Sequence, residues 1–296
     1  MNFLTQLSKD TLICSELQVK DYKEILKCTF GDTPDKIIFI ETVCRIFSKI
    51  TNRSLEYIKQ LNIIDFFCLL LDIRANSLGN CSLILTQNEQ KFNLELDLIK
   101  VKQETSSLFE QLTTTIKHSN LEVSFECPSI ERLMQNTKED YLSYIKSSCI
   151  TKKRKKCTAM ITTNEEAELF FNALPPKISL EIIDNFNKFV ESITKMNYLS
   201  RYGFYEQQLT FLPSIESLLW FAKLLFNEPL NSLYDNIFYL SYSGKMNAEY
   251  VEGLSVGEYN YFVGLLRQVL ASKNSPGENN QDQTFEEDAG LFEEET

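Results

Sequence analysis

Along the first quarter of the chain, apolar positions recur at helical spacing. Ile37, Ile40, Val43, Cys44, Phe47 and Ile50 fall three and four residues apart, the period of an amphipathic helix facing a core. Gly31-Asp32-Thr33-Pro34 precedes them, with Thr33 placed to cap that helix and Pro34 at its first position. Before that turn, residues 15–30 (SELQVKDYKEILKCTF) read as a short strand or turn leading into a helix through Leu17, Tyr22, Ile25 and Leu26. A further helix is predicted from Ile63 to Arg74. It is apolar nearly all round, which predicts a central position, and Asn76-Ser77-Leu78-Gly79-Asn80 closes it in a turn.

The period then changes. Ser82–Thr86 and Phe92–Leu98 flank a polar link, and Phe92, Leu94, Leu96 and Leu98 alternate strictly, so the pair reads as a β-hairpin. Leu121–Phe125 alternates in the same way and is a candidate third strand. The polar stretch 102–119 between them holds a helix or an insertion. From Ser129 the pattern is helical throughout. Thr163 with Glu166 fits a capping box, Pro175-Pro176 breaks one helix, Pro213-Ser214 opens another, and the last begins at Ser255 with Tyr259, Phe262, Val263, Leu266 and Leu270. The expected fold class is α+β and predominantly helical. Residues 1–128 form a helical region with a small antiparallel hairpin or three-stranded layer, 129–272 a helical domain, and 273–296 a tail. The tail is rich in Asn, Gln, Pro, Gly and Glu, too few apolar groups to offset the entropy of ordering, and is read as disordered.

Charge sharpens that division. The formal net charge is -11, but Glu278, Asp282, Glu286, Glu287, Asp288, Glu293, Glu294 and Glu295 all lie in the tail, which holds no base after Lys273. Without those eight, the 41 acids nearly balance the 30 bases, so the body has no net basic face and general nucleic-acid binding is disfavoured. No apolar run reaches the ~18 residues of a membrane span: the longest, Ile63–Ile73, is interrupted by Asp65 and Asp72. The N-terminal residues lack the basic segment and apolar core of a signal peptide, so a cytoplasmic origin and no membrane partner are expected. The eight cysteines are scattered without a C-x-x-C pair and there is one histidine, His118. No zinc site, other metal or cofactor is expected, and Cys28, Cys44 and Cys68 sit among apolar neighbours as buried reduced thiols.

The motifs that could carry chemistry mostly reduce to structure. Gly253-Leu254-Ser255-Val256-Gly257 matches the G-x-S-x-G elbow of a hydrolase, but the elbow needs a strand before it and a histidine after it. The alternative is a capping box, Ser255 with Glu258 three residues on. His118 has no partner that spacing identifies and reads as an exposed loop residue. No catalytic residue is expected, and the chain is not read as an enzyme. Two segments are candidates for partner binding. One is the basic run Lys152-Lys153-Arg154-Lys155-Lys156, which suits an acidic protein surface, this chain's own tail or nucleic acid, or is simply a solvated loop between helices. The other is Leu291-Phe292, an apolar pair among acids of the kind that orders on a partner.

Several of these segments together resemble a known family. They are Leu17–Lys27 (LQVKDYKEILK), Ile64–Arg74 (IDFFCLLLDIR), the turn Ala75–Asn80 and the hairpin ending at Leu98. An Asp–aromatic–Leu–Arg–Ser–Gly run followed by a hairpin resembles the baseplate proteins of T4-like contractile-tailed bacteriophages, a family that includes baseplate hub subunits and hub-assembly proteins. The resemblance covers the first third of the chain well and the rest loosely, and it does not place the five-base run or the acidic tail. It implies a non-enzymatic protein of tail morphogenesis, built into the hub or helping to assemble it by protein–protein binding. Its partners would be other tail and baseplate hub proteins, including the tape measure protein. It would reside in the host cytoplasm during assembly or in the virion tail baseplate. The alternatives are a tail assembly chaperone absent from the mature virion and a nucleic-acid-associated factor using residues 152–156.

Overall fold

The computed structural model describes residues 2–31, 34–87, 90–118, 121–135, 145–152, 155–159, 164–194, 199–202, 205–208 and 214–273. The chain opens with a two-stranded antiparallel ribbon, β1 (Asn2–Gln6) and β2 (Thr11–Ser15). Its inner face buries Thr5, Leu12 and Cys14, and its outer face leaves Leu4 and Ile13 exposed as a directly opposed pair. Then come α1 (Val19–Thr29), α2 (Lys36–Thr51), α3 (Leu55–Gln60) and α4 (Ile63–Leu78). The cap of α2 is Asp35, whose carboxylate accepts from the N–H groups of Ile37 (2.8 Å) and Ile38 (3.1 Å). That corrects the expectation of Thr33, which lies outside the described residues: an aspartate adjoining the first turn satisfies two of the free amide donors and complements the helix dipole.

α4 is the centre of the molecule. Every residue from Ile63 to Arg74 is buried, as a helix apolar nearly all round predicts. Phe66 packs against Phe47 of α2 with ring centroids 4.9 Å apart. The two acids within the run have assigned partners. Asp65 accepts from Ser8 and Asn62, and Asp72 meets Lys102 Nζ at 2.5 Å.

Beyond α4, the hairpin expected from alternation is present as β3 (Cys81–Gln87) and β4 (Gln90–Leu96), paired from Cys81↔Leu96 to Gln87↔Gln90. The polar stretch after it resolves into α5 (Leu98–Ser106), a 3-10 turn at Phe109–Gln111 and a strand, β5 (Thr113–His118). The expected strand at 121–125 is β6 (Leu121–Glu126), but it does not join the β3–β4 hairpin. After α6 (Ile130–Gln135) come β7 (Ile145–Lys152) and β8 (Lys155–Ala159), and the order β5-β6-β7-β8 makes a separate four-stranded antiparallel sheet.

The remaining elements are α7 (Asn164–Asn172), α8 (Pro176–Thr194), β9 (Leu199–Tyr202), β10 (Tyr205–Gln208), α9 (Ile215–Leu225), α10 (Leu230–Tyr242), α11 (Ala248–Gly253) and α12 (Val256–Lys273). The class is α+β with helix predominant. Strands β7 to β10 nevertheless correct the expectation that everything after Ser129 is helical. The β7–β8 register sets Lys152 opposite Lys155 and Thr151 opposite Lys156. Like charges at a hairpin end oppose pairing locally, so no alternating apolar signal marks this hairpin in the sequence. The proposed cap Thr163 lies outside the described residues.

One buried cluster runs through these segments. Phe221 of α9 packs edge-on against Phe67 of α4 at 4.9 Å, and Phe125 of β6 meets Phe186 of α8 at 5.4 Å. Burying each such ring contributes on the order of 2–3 kcal/mol by transfer from water. Among the described residues, no helix is long and apolar enough to cross a membrane.

Candidate interaction surface

The basic run sits at the end of a hairpin rather than in a loop between helices. Lys152 is the last residue of β7, and Lys155 and Lys156 are the first two of β8. Lys153, Arg154, Leu291 and Phe292 lie outside the described residues, as does the rest of the tail beyond Lys273. His118 is the last residue of β5, opposite Leu121, and not a loop residue. The threonine run before it suits an extended strand.

Ser255 resolves as a cap. Its hydroxyl donates to Glu258 Oε2 at 3.0 Å and accepts the Glu258 N–H at 3.3 Å, while its own N–H donates to the same carboxylate at 3.0 Å. The element before it is α11, a helix, so the strand-to-helix elbow of a hydrolase is not formed. Six cysteines are described as free thiols. Cys44 and Cys68 are buried as expected, whereas Cys28 is half-buried. Burial pushes the Cys44 thiol up to about 12 and those of Cys14, Cys68, Cys81 and Cys127 upward as well, which keeps them protonated and poorly nucleophilic.

The surface that stands out is on α10, an element the sequence reading did not single out. Its inner side buries Leu233, Ile237 and Leu240. Its outer side is aromatic: Tyr234, Phe238 and Tyr242 recur every four residues, with Tyr239 beside them, and all four are exposed. Phe238 is 60% and Tyr242 75% accessible, yet their rings stack in parallel with centroids 5.7 Å apart and planes 6° from parallel. Two such rings held together in water form a preorganised apolar plate. The period of four was the available signal, but Leu233, Ile237 and Leu240 supply an equal inner stripe, so a hydropathy pattern sees little contrast between the two sides.

Charge is arranged around this stripe. At one end Lys23 Nζ lies 6.0 Å from the Tyr234 ring centroid and also pairs with Glu252 of α11. On the other flank, α10 and α12 enclose a groove of about 350 Å³ between Asn236 and Tyr239 on one side and Val263, Leu266 and Leu270 on the other. Arg267 in the groove wall reaches Asn236 Oδ1 at 3.4 Å. Below, Tyr259 is buried, and burial together with the charge of Glu228 pushes its hydroxyl up to about 12. Asp235 on α10, Glu249 on α11 and Glu258 on α12 stand exposed, as do Lys245 between α10 and α11 and Arg267 on α12.

A second, more polar cleft of about 590 Å³ lies where the β1–β2 turn meets the start of α4. Its carboxylates are engaged by the fold. Asp65 is held by Ser8 and Asn62, and Asp10 by the Tyr57 hydroxyl (3.0 Å) and the Thr11 N–H (2.8 Å).

The family described as T4 bacteriophage base plate protein matches residues 2–202. No curated protein and no solved structure matches the chain.

Proposed function

Because the chain belongs to the T4 bacteriophage base plate protein family, we propose that it is a component of the baseplate hub, built into it or helping to assemble it, and that it acts by binding other tail proteins rather than by catalysis. A structural or assembly role in the baseplate follows from the family. The hub assignment, and partners such as the tape measure protein, are the finer reading. The observation that carries contact as the mode of action is the stacked, exposed pair Phe238–Tyr242 on a helix whose opposite side is in the core. Aromatic anchors on a rigid element are what protein interfaces use, because their area is buried at little cost in side-chain entropy. The hairpin end at Lys152–Lys156 and the tail residues Leu291 and Phe292 are proposed as further contact points, with 273–296 acting as an extension of the body.

Quantitative mass spectrometry of purified mature tails tests the assignment. A few copies per particle, in fixed ratio to baseplate proteins, is the result expected of a hub subunit. Abundance in infected cells with absence from particles identifies an assembly chaperone instead. Absence from every tail-associated complex at both stages overturns the reading. Replacing residues 152–156 by alanine separates the nucleic-acid alternative, which requires that change to abolish function.

A further inference from the structure

We propose that the cleft between β5 and α8 takes an extended segment of another protein, bearing Ser/Thr and Asp/Glu side chains, as an added strand on the edge of β5. The proposal rests on the reading that this baseplate protein works by protein contact, and it adds the mode of binding and the chemistry of what is bound.

The backbone of β5 is arranged for it. In the order β5-β6-β7-β8, β5 is an outer strand, so among the described residues no strand lies along its other edge. The Cys127 N–H donates to the Leu112 carbonyl at 2.8 Å, which makes Leu112 and Cys127 a hydrogen-bonded pair. Antiparallel pairs alternate. The continuing register therefore makes Thr114↔Phe125 a bonded pair and Thr113↔Glu126 and Thr115↔Ser124 non-bonded ones. Thr115 Oγ1 lies 3.1 Å from Ser124 Oγ, the close side-chain approach of a non-bonded pair. The N–H and C=O groups of Thr113 and Thr115 thus point away from β6, along the open edge. Thr113–Ile116 carries neither a proline nor a charge, devices that keep an edge from pairing.

That edge borders a cleft of about 600 Å³, to which four consecutive residues, Thr113 to Ile116, contribute. Successive side chains of a strand leave on opposite faces, so a wall built from consecutive residues is the edge and not a face. The facing wall is α8, through Glu181, Asn185, Lys188 and Ser192, which share one side of the helix. Its inner side holds it there: Ile182, Phe189 and Ile193 are buried, and Phe186 meets Phe125 of β6. Neighbouring strands lie about 4.8 Å apart, so a segment in the cleft bonds to the β5 backbone and presents alternate side chains to α8.

The α8 wall sets the chemistry of those side chains. Asn185 Nδ2 donates to the Glu181 carbonyl at 2.8 Å, and Ser192 Oγ to the Phe189 carbonyl at 2.7 Å, both within the helix. Their side-chain oxygens remain as acceptors, which suits Ser or Thr hydroxyls on the segment. Lys188 is exposed in the same wall and, among the described residues, pairs with no carboxylate, whereas Glu181 is already engaged. The unmatched charge of the wall is positive, and a carboxylate on the segment complements it.

The test uses the full chain and a fluorescein-labelled ten-residue peptide of alternating Val and Thr in which two of the threonines are replaced by Asp. Controls carry Lys in place of Asp, or N-methyl groups on alternate residues in one phase or the other. Fluorescence anisotropy should show binding of the Asp peptide and not the Lys peptide, and N-methylation should abolish binding in one phase only. Amide exchange at Thr113 and Thr115 should slow on binding, while that at Thr114, already bonded to β6, should not. Thr115→Pro removes an N–H that β6 does not use, so it should keep the sheet and weaken binding at least tenfold. Lys188→Glu, at an exposed position, should weaken the Asp peptide several-fold and admit the Lys peptide. Absence of binding by the Asp peptide, full affinity in both N-methylated phases or in Thr115→Pro, or equal affinity for the Asp and Lys peptides overturns the proposal. So does a concentration-dependent dimer that Thr115→Pro abolishes, which would assign the edge to a second copy of the chain. These outcomes do not depend on whether the protein is found in mature tails, so failure here leaves the hub assignment to its own measurement.

Discussion

Gln18 and Ser255 face each other in a single antiparallel bridge: the Val19 N–H donates to the Leu254 carbonyl at 3.0 Å and the Val256 N–H to the Leu17 carbonyl at 2.9 Å. Leu17, Val19 and Val256 are fully buried around it. Two backbone bonds thus fix the start of α12 against the start of α1, joining the family-matched segment to helices beyond its end. The capping box of Ser255 and Glu258 sits at the rim of the same bridge.

Ser255→Ala should therefore destabilise the protein by about 1 kcal/mol, the usual loss when a capping hydroxyl is removed. Urea denaturation measures it, and Ser255→Ala with Glu258→Ala gives the coupling between the two side chains. No measurable loss in either variant would mean that the backbone bridge alone sets the start of α12.

Arg74 should be far less tolerant. It is buried on α4 and donates from Nε to the Leu225 carbonyl at 2.5 Å and from Nη1 to the Gly79 carbonyl at 2.8 Å. One side chain thereby satisfies the end of α9 and the turn into β3. Arg74→Leu leaves those carbonyls without a donor and should cost about 2–4 kcal/mol. Arg74→Lys should recover little of it, because an ammonium cannot span both acceptors as the planar fork does. A lysine variant with wild-type stability would show that charge, not fork geometry, is what matters there.

Alkaline pH should destabilise the protein. Burial raises the Cys44 thiol from 9.0 and the Tyr259 hydroxyl from 10.0, each to about 12. In both the neutral form is favoured in the fold, so the unfolded chain releases its proton first. Their contribution is fully present below about pH 9 and is lost as pH rises towards 12, each ionising group steepening the fall by about 1.4 kcal/mol per pH unit. Thermal midpoints measured from pH 7 to 11 should be flat at first and then drop. Cys44→Ala should shift the onset upward relative to its own plateau, and an unchanged profile would remove Cys44 as a contributor.

Much of the fold was legible because its strongest signals were local. The nearly all-round apolar run from Ile63 predicts a central helix, and strict alternation from Phe92 predicts the hairpin. Glu258 three residues after Ser255 separates a cap from a nucleophile. Asp35 was missed because Thr33-Pro34 is the stronger written signal, although Asp35 directly adjoins the first turn. Strands β7 and β8 were missed because lysines oppose one another where a hairpin signal should be. α10 was missed for a different reason: Tyr234, Phe238 and Tyr242 are apolar enough to read as core, and only their accessibility shows that they are surface. An interaction face built from aromatic rings is thus hidden by the same pattern that reveals a core.

The two acids inside the central apolar run were also legible, but their purpose was not. Asp65 is buried on α4, and its carboxylate accepts from the Ser8 N–H (2.7 Å), the Ser8 hydroxyl (2.6 Å) and the Asn62 amide (2.6 Å), while its own N–H is capped by Asn62 Oδ1 at 2.9 Å. The helix start and the β1–β2 turn therefore share one carboxylate. Asp65→Asn keeps the size but points an amide donor at groups that already donate, so it should cost about 1–3 kcal/mol. The loss should be local first. A two-stranded ribbon is marginal by itself, and this one carries Leu4 and Ile13 on its solvent side, so it depends on the anchor at Ser8. Limited proteolysis of Asp65→Asn should then cut faster within residues 7–10 while the helical signal in circular dichroism stays intact. Equal cleavage rates in the variant and the parent chain would mean that the buried face of the ribbon, through Leu12 and Cys14, holds it without help from Asp65.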